Sequence, residues 1–311
     1  MTVADKDRTI ISILEKVFSN EIINIKVFAS ISPICHYTNF DALHNIISNK
    51  EFYLSPISSM TDISEFDWSI NIIDRCVSGG LDSNLNGVIK SALELATEAK
   101  EETYVSCWSS NDPDDLQMWL SYGNNGAGVS LQCDVSFIAQ PNQYENQIAI
   151  LAVNYFDEKS AKIYIKDKIQ KVISELDHRN FNSEEKIEIF ENLFVHLCVM
   201  NKQKYFSFEN EKRVVCVYPN DQLEAFLQPV PIRGGLLNVL KIPLKIDRSI
   251  DKSTTSNQQE ANIDLANILK KIVIGPSPDQ RQKQLAVQRL LEIHGYSGVE
   301  VELSKIPYRG R

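Results

Sequence analysis

The segment Phe208-Glu209-Asn210-Glu211-Lys212-Arg213-Val214-Val215 carries two carboxylates and an arginine at alternate positions. On a β-strand, residues two apart point to the same face, so the spacing predicts that Glu209, Glu211 and Arg213 lie side by side. Neighbouring carboxylates raise each other's pKa and can act in acid–base chemistry or stabilise a developing cation. Arg213 could hold one carboxylate ionised or bind a phosphate. The same pattern also fits an exposed strand face with a surface ion pair.

A second candidate group is His36-Tyr37-Thr38, which lies where a short predicted strand ends and a helix begins. Such junctions often carry functional residues. The His36 ring can donate or accept a hydrogen bond, and the Tyr37 ring can stack on a planar heterocycle. Thr38 is predicted to cap the following helix. The alternative is that His36 is a half-buried histidine with satisfied hydrogen bonds and that Tyr37 belongs to the core.

The charge balance narrows the class of partner. The chain has 311 residues with 32 basic and 41 acidic side chains, a net charge of −9. General binding to nucleic acid requires a basic surface and is therefore not expected. The C-terminal segment 270–311 is locally basic, so it could meet phosphates or form a solvated helix face. Binding of a small-molecule nucleotide stays open.

The six cysteines contain no C-x-x-C pair, and no zinc-binding spacing occurs among the Cys and His residues. We therefore expect buried reduced thiols and no metal. The N-terminus lacks the apolar core of a signal peptide, and no run reaches 18 apolar residues. A cytoplasmic protein that does not span a membrane is the expected class.

Strand-like and helix-like segments alternate without a fixed period, which is typical of an α+β fold with a mixed or antiparallel sheet. We expect a single domain over 1–311 that begins with a helical extension over 1–33. Two long helices over 157–203 read as an insertion between sheet strands. The polar segment 247–260 predicts a mobile loop. The end of the chain, from Ile272 to residue 303, has the order of a β-α-β unit.

Short motifs along residues 34–309 follow an order that resembles the bacterial domain-of-unknown-function family 2971. They are His-Tyr-Thr, Tyr-Leu-Ser, Thr-Asp-x-x-Glu, Val-Ser-Cys-Trp-Ser, Met-Trp-x-x-Tyr-Gly, Gly-x-Gly-Val, Val-Asn-Tyr, Glu-x-Glu-Lys-Arg, Ile-Val-Ile-Gly-Pro and Ser-x-x-Pro-Tyr-Arg. The chain departs from the family at Lys212, where an aromatic residue is often found before the arginine.

The motif order is also similar to that of ADP-ribosyltransferase folds, and this resemblance implies a set of roles. Glu211 would be the catalytic carboxylate and Glu209 its partner. The residues implied in binding NAD are His36 on the ribose hydroxyls, Tyr37 or Tyr53 stacked on nicotinamide, and Thr38, Ser106 and Arg213 around them. The fold-level likeness does not by itself establish the activity.

The resemblance implies an NAD-utilising transferase or glycohydrolase, with NAD as substrate. Cleavage of the nicotinamide–ribose bond passes through an oxocarbenium-like transition state, which a carboxylate stabilises. Such an enzyme could be a toxin or antiphage effector that modifies a host macromolecule. The alternative is a non-catalytic module that uses the same fold to bind a nucleotide or another ligand.

Overall fold

The architecture is described from a computed structural model. It covers residues 3–18, 33–60, 64–79, 85–134, 148–219, 224–232, 235–243, 268–296 and 298–308. The predicted mobile loop 247–260 lies outside the described residues, as does much of the predicted N-terminal extension.

Strands account for most of the described core. In chain order they are β1 (Ile34–Thr38), β2 (Glu51–Pro56), β3 (Thr103–Ser109), β4 (Val129–Cys133), β5 (Ile148–Ala152), β6 (Asn154–Phe156), β7 (Asn201–Gln203), β8 (Glu211–Val217), β9 (Leu227–Ile232), β10 (Gly235–Pro243), β11 (Leu269–Ile274) and β12 (Glu300–Leu303).

The helices lie between these strands and cover both faces of the sheet. They are α1 (Val3–Val17), α2 (Phe40–Asn49), α3 (Ser64–Val77), α4 (Asn86–Glu98), α5 (Leu116–Ser121), α6 (Glu158–Asp177), α7 (Ser183–Met200) and α8 (Gln280–Ile293), with short 3₁₀-helices at Ile57–Ser59, Ala99–Glu102 and Lys204–Glu209. No helix in the described ranges has the length and apolar character needed to cross a membrane.

In the described part of the chain, ten strands form one sheet. Its main path runs β12-β11-β4-β1-β3-β2-β10-β9, and β8 pairs with both β3 and β5. The terminal pair β11–β12 is parallel, as the predicted β-α-β unit requires, and the other pairs of this sheet are antiparallel. The predicted combination of helices with a mixed, mostly antiparallel sheet is confirmed. Its closer likeness to an ADP-ribosyltransferase fold stays a prediction.

The sheet divides along one edge of β3. β2 pairs with the first half of β3 through Ser55 and Val105, whereas β1 meets only its last residue through Cys35 and Ser109. Over Ser106–Trp108 that edge of β3 has no strand partner within the described residues, while β8 covers the opposite edge along its whole length. The divergence of β1 and β2 therefore leaves a gap in the middle of the sheet.

The alternation of side chains along the central strands builds two separate cores. Val105 and Val215 point to the face covered by α1, α3, α4, α6 and α7. Tyr104 and Val214, one position away on each strand, point to the face covered by α2 and α8. Each fully buried side chain of this size contributes about 1.5–3 kcal/mol. Both faces of β3 and β8 are therefore apolar, except where charged residues replace apolar ones near the gap.

The helices that were predicted as an insertion begin at clear capping residues. The Asp157 side chain accepts from the Ser160 amide at the start of α6. Asn182 and Glu185 form a reciprocal capping box at the start of α7. At α2 the predicted cap was wrong. Asn39, and not Thr38, accepts from the Ala42 amide, because Thr38 is still paired in β1.

Gly128 is required by the close approach of β1 to the turn before β4. A Cβ at this position would lie 2.2 Å from the Thr38 carbonyl oxygen and 2.8 Å from the Gly123 carbonyl oxygen. We expect Gly128→Ala to lower the free energy of unfolding by about 1–3 kcal/mol, measured by urea denaturation. Gly87→Ala is the control, because a Cβ there meets nothing within 4 Å. Equal stability of the two variants would contradict this packing.

Candidate functional site

A large cleft opens at the gap in the sheet. Its volume is about 1480 Å³, and its walls come from β1, β2, β3, β8, the 3₁₀-helix Lys204–Glu209 and the β9–β10 hairpin. His36 and Glu211, to which the sequence resemblance gave roles in one NAD site, both line it. The cleft is larger than the 300–1,000 Å³ typical of small-molecule pockets, so it has room for a dinucleotide.

A cluster of five buried charges forms part of one wall. Three carboxylates, Glu65 on α3, Glu209 and Glu211, surround two cations, Lys202 on β7 and Arg213 on β8. Each of the five residues is at most 5% exposed. Buried charges are tolerated only when they are paired and hydrogen-bonded. The pairs of this cluster connect α3, β7, β8 and the 3₁₀-helix Lys204–Glu209.

All three side-chain nitrogens of Arg213 donate within the protein, through four of its five N–H groups. Its Nε lies 2.9 Å from Glu211 Oε1 and its Nη2 lies 3.1 Å from Glu211 Oε2, a bidentate pair. Nη2 also donates to Glu65, and Nη1 donates to the Val199 carbonyl at 2.7 Å. A phosphate could bind Arg213 only by displacing one of these partners. The expected binding of cofactor by Arg213 stays a prediction, and its observed contacts are those of a residue that positions Glu211.

Lys202 joins the three carboxylates. Its Nζ lies 2.6 Å from Glu209 Oε2 and 3.2 Å from both Glu211 Oε2 and Glu65 Oε2. Burial opposes the charge on Lys202, but Glu211 and Glu65 outweigh it and hold the pKa of this lysine above its ordinary value. Lys202 therefore stays protonated and cannot act as a base at neutral pH.

Glu211 is the most tightly held carboxylate of the cluster. Burial alone would raise its pKa, but Arg213 and Lys202 overcome that effect and lower the pKa to about 2. Its backbone N–H donates to the Tyr155 hydroxyl at 2.8 Å. With Arg213 on both oxygens and Lys202 on one of them, Glu211 is ionised and has little remaining capacity for a substrate.

Glu209 differs from Glu211 in backbone and in chemistry. It ends the 3₁₀-helix Lys204–Glu209, and Asn210 in the left-handed region (φ 44°) separates it from β8. The predicted strand alternation was therefore wrong for Glu209, while Glu211 and Arg213 do share a face. Burial raises the pKa of Glu209, although Lys202 and the Tyr122 hydroxyl, which donates to Oε1, oppose the rise. Glu209 keeps acceptor capacity on both oxygens.

His36 fills the unpaired edge of β3. Its Nδ1 donates to the Cys107 carbonyl at 2.9 Å, in the stretch where no neighbouring strand is available. Burial lowers the pKa of His36, so the ring is neutral at pH 7. Because Nδ1 carries the proton, Nε2 is an acceptor, and it has no hydrogen-bond partner among the described residues. The ring can therefore accept from a ligand hydroxyl or N–H.

Of the other predicted binding residues, some line the cleft and one does not. Tyr53 and Ser106 line the cleft, and the Lys241 ammonium lies 5.3 Å from the centre of the Tyr53 ring. Tyr37 also lines the cleft, but it is 6% exposed and its hydroxyl donates to the Asp112 carbonyl. Thr38 is not part of the lining. Of the two tyrosines, Tyr53 therefore has the more accessible ring.

The predicted reduced thiols are found without disulfides. All six cysteines are free, and Cys107 is the one that is only partly buried. Burial and the nearby Glu211 raise the pKa of Cys107 well above its ordinary value. A thiolate nucleophile at this position is therefore disfavoured. Across the residues described, no group of His, Cys, Asp and Glu has the arrangement of a metal site.

The sequence analysis gave no role to Lys202 or Tyr122. It included Glu65 only as the last residue of the motif Thr-Asp-x-x-Glu. Lys202 follows the apolar run that ends α7, and a lysine so close to a buried helix end is a signal that it has a buried partner. Tyr122 belongs to the motif Met-Trp-x-x-Tyr-Gly, is 37% exposed and donates to Glu209. The partner of a buried charge can lie far along the chain, which no local spacing reveals.

The model of a family described as a protein of unknown function, DUF2971, matches residues 118–214. The match covers 97 of the 311 residues and supports membership of DUF2971 for this segment of the chain. The match begins in α5 and ends in β8, so the DUF2971 segment contains Tyr122, Lys202, Glu209, Glu211 and Arg213. Among the curated proteins and the solved structures, nothing matches the chain. The family predicted from the motifs is confirmed, and its name assigns no activity.

The charge cluster predicts a specific loss of stability in acid. The pKa of Glu211 falls from 4.5 to about 2 on folding, so its contribution is complete above the unfolded value and is lost as the pH falls from 4.5 towards 2. The pKa of Glu209 is raised on folding, so its contribution to the free energy of unfolding decreases as the pH rises above 4.5. We expect the free energy of unfolding in urea to decrease between about pH 4.5 and about pH 3. Glu211→Gln should reduce this slope, and an unchanged slope would contradict the assignment.

Proposed function

We propose that this DUF2971 protein is an NAD-utilising, ADP-ribosyltransferase-like enzyme that cleaves the nicotinamide–ribose bond in the cleft. The observation that carries the proposal is the placement of a neutral histidine and a pair of carboxylates on the walls of one cleft of about 1480 Å³. A dinucleotide needs such a volume, and the reaction needs a negative charge beside the ribose.

Cleavage of the nicotinamide–ribose bond requires few protein groups. The bond between ribose C1′ and the nicotinamide nitrogen breaks, and its electron pair neutralises the pyridinium. The positive charge that develops on the ribose is stabilised by a fixed carboxylate. An acceptor hydroxyl, amine or water then bonds to C1′ and loses its proton. In an active site that excludes water, one preorganised carboxylate can supply most of this stabilisation.

The contacts favour Glu209 as the carboxylate that faces the substrate. Glu211, to which the sequence analysis gave the catalytic role, is held by Arg213 and Lys202 and is suited to fix the cluster. Among the described residues, the Glu209 carboxylate bonds only to the side chains of Tyr122 and Lys202. In this proposal Glu211 and Arg213 position Lys202, and Lys202 in turn orients Glu209.

The remaining lining residues provide binding groups for NAD. His36 Nε2 accepts from a hydroxyl or N–H group of NAD, and the Tyr53 ring offers a face for a heterocycle. Lys241 lies in the lining beside Tyr53 and pairs with Glu51 at 3.5 Å. Its ammonium is available to a pyrophosphate more readily than Arg213, which bonds to Glu211, Glu65 and Val199. Among the basic side chains near the C-terminus, Lys271, Lys283 and Arg289 pair with acidic neighbours.

A second candidate is a ligand-binding module without chemistry. The specific observation in its favour is that the buried charges satisfy one another, as in a cluster that serves only to hold the fold together. In this case the cleft binds a nucleotide and Glu209 does not react. A role as a toxin or antiphage effector acting on a host macromolecule stays a prediction of the sequence resemblance.

Incubation of the purified protein with NAD separates the two candidates. The enzyme releases nicotinamide, detected by liquid chromatography, and leaves ADP-ribose free or on an acceptor. A module that only binds shows an NAD-dependent rise in melting temperature without nicotinamide release. Neither release nor a rise in melting temperature at millimolar NAD would overturn both candidates.

A further inference from the structure

The gap between β1 and β2 brings together polar groups of which the proposed function uses only His36. Trp108 and Ser106 on β3, His36 on β1 and Phe52 on β2 all line the cleft at this place. Trp108 and Ser106 share the face of β3 opposite to the charge cluster, since they alternate with Cys107. The gap is therefore a part of the cleft distinct from the wall that carries Glu209 and Glu211.

Three polar atoms at the gap lack a protein partner in the described ranges. The Trp108 indole Nε1–H is buried and has no acceptor among the described residues. The Nδ1–H of His36 is bonded to the Cys107 carbonyl, so Nε2 is an acceptor, and no described residue donates to it. The Ser106 hydroxyl likewise forms no hydrogen bond within the described part of the chain. Buried polar groups in native proteins are nearly always hydrogen-bonded, so an unpaired indole beside a cleft calls for an explanation.

Aromatic rings enclose these atoms. The Trp108 and His36 rings have their centroids 5.1 Å apart, and the Trp108 and Phe52 rings 4.9 Å apart. The third side is closed by Phe52 and His36 at 6.4 Å in an edge-on arrangement. These rings present apolar faces beside the cleft, and hydrogen bonds made there are strengthened because little water competes.

We infer that the gap is a binding subsite for a planar group that presents an acceptor and a donor on the same edge. The acceptor takes the Trp108 N–H, and the donor bonds to His36 Nε2. A carboxamide has this edge, and so does an amino-substituted heterocycle such as adenine. The inference rests on the proposed function in so far as NAD carries both groups, but it requires no bond cleavage.

The indole N–H signals of the intact protein test the subsite directly. The chain has three tryptophans, and Trp108→Phe identifies the signal of Trp108 in an ¹⁵N–¹H spectrum while keeping an aromatic ring there. Nicotinamide and adenosine are titrated separately to distinguish the two ends of NAD. We expect one of them to move the Trp108 signal in a saturable way. Trp119 is the internal control, because its Nε1 already donates to Asp114 Oδ1 at 2.8 Å.

Matched ligands and a second variant make the test decisive. Nicotinate and purine riboside lack the amino donor, and we expect them to bind at least about tenfold more weakly than nicotinamide and adenosine. His36→Phe should weaken the preferred ligand by a similar factor while the Trp119 signal is unchanged. The inference is overturned if neither nicotinamide nor adenosine moves the Trp108 signal, or if the analogues without the donor bind equally well. Saturable binding without nicotinamide release from NAD would reject the proposed reaction and leave the subsite standing.

Discussion

Glu209→Gln is expected to reduce nicotinamide release at saturating NAD by at least about 100-fold, the loss typical of removing one preorganised electrostatic group. The amide keeps the size of the side chain and can still accept from Tyr122. It carries no negative charge, so it cannot stabilise the positive charge that develops on the ribose. Because the change acts on the transition state, we expect kcat to fall while KM for NAD changes little.

Glu191→Gln is the matched control for this prediction. Glu191 is a partly buried glutamate that, like Glu209, accepts from a tyrosine hydroxyl, that of Tyr218, but it lies outside the cleft lining. We expect full activity from that variant. Glu211→Gln should lower activity together with the melting temperature, because Arg213 loses its bidentate partner. An active Glu209→Gln protein, or an inactive but fully stable Glu211→Gln protein, would return the catalytic role to Glu211.

Local patterns predicted the elements well where local forces decide them. The strand that begins at Glu211 follows from β-branched residues behind a polar start, and it is observed as Glu211–Val217. The predicted helices over 157–203 are observed as α6 and α7, and their polar break is the capping box at Asn182. The parallel pair β11–β12 follows from a strand-turn-helix-strand order, because such connections return the chain in the same direction.

The site depended on contacts that local patterns do not contain. A single left-handed residue, Asn210, moves Glu209 off the strand and gives it a different environment from Glu211. Lys202 and Glu65 reach the same point from β7 and α3, and the gap beside His36 exists because β1 and β2 pair with different parts of β3. The two carboxylates and the histidine could be identified as candidate site residues from the sequence pattern. Their pKa values and their free acceptors could not, since those are set by partners far along the chain.

Arg213→Met is expected to lower the free energy of unfolding by about 3–5 kcal/mol, the usual cost of removing one partner of a buried ion pair. Methionine fills much of the volume of the arginine stem, so the loss is mainly electrostatic. Glu211 and Glu65 would be left with Lys202 as their remaining cation in the cluster. Urea denaturation near neutral pH measures the change. Arg289→Met is the control, because Arg289 is exposed and its pair with Glu292 should contribute less than about 0.5 kcal/mol.

The pH dependence of this variant shows whether charge or packing causes its loss of stability. Without Arg213, burial is expected to raise the pKa of Glu211 from its present value of about 2. Protonation of the variant's Glu211 removes the uncompensated charge as the pH falls towards 4.5, and the wild type loses its own Glu211 contribution between 4.5 and about 2, so the deficit should shrink throughout this acid range. Adding Glu65→Gln to Arg213→Met should likewise restore part of the stability, since it removes one unpaired carboxylate. A deficit that is the same at neutral and acid pH, and that Glu65→Gln does not reduce, would mean that Arg213 stabilises the fold by filling space, and that the cluster does not hold Glu209 in place through its charges.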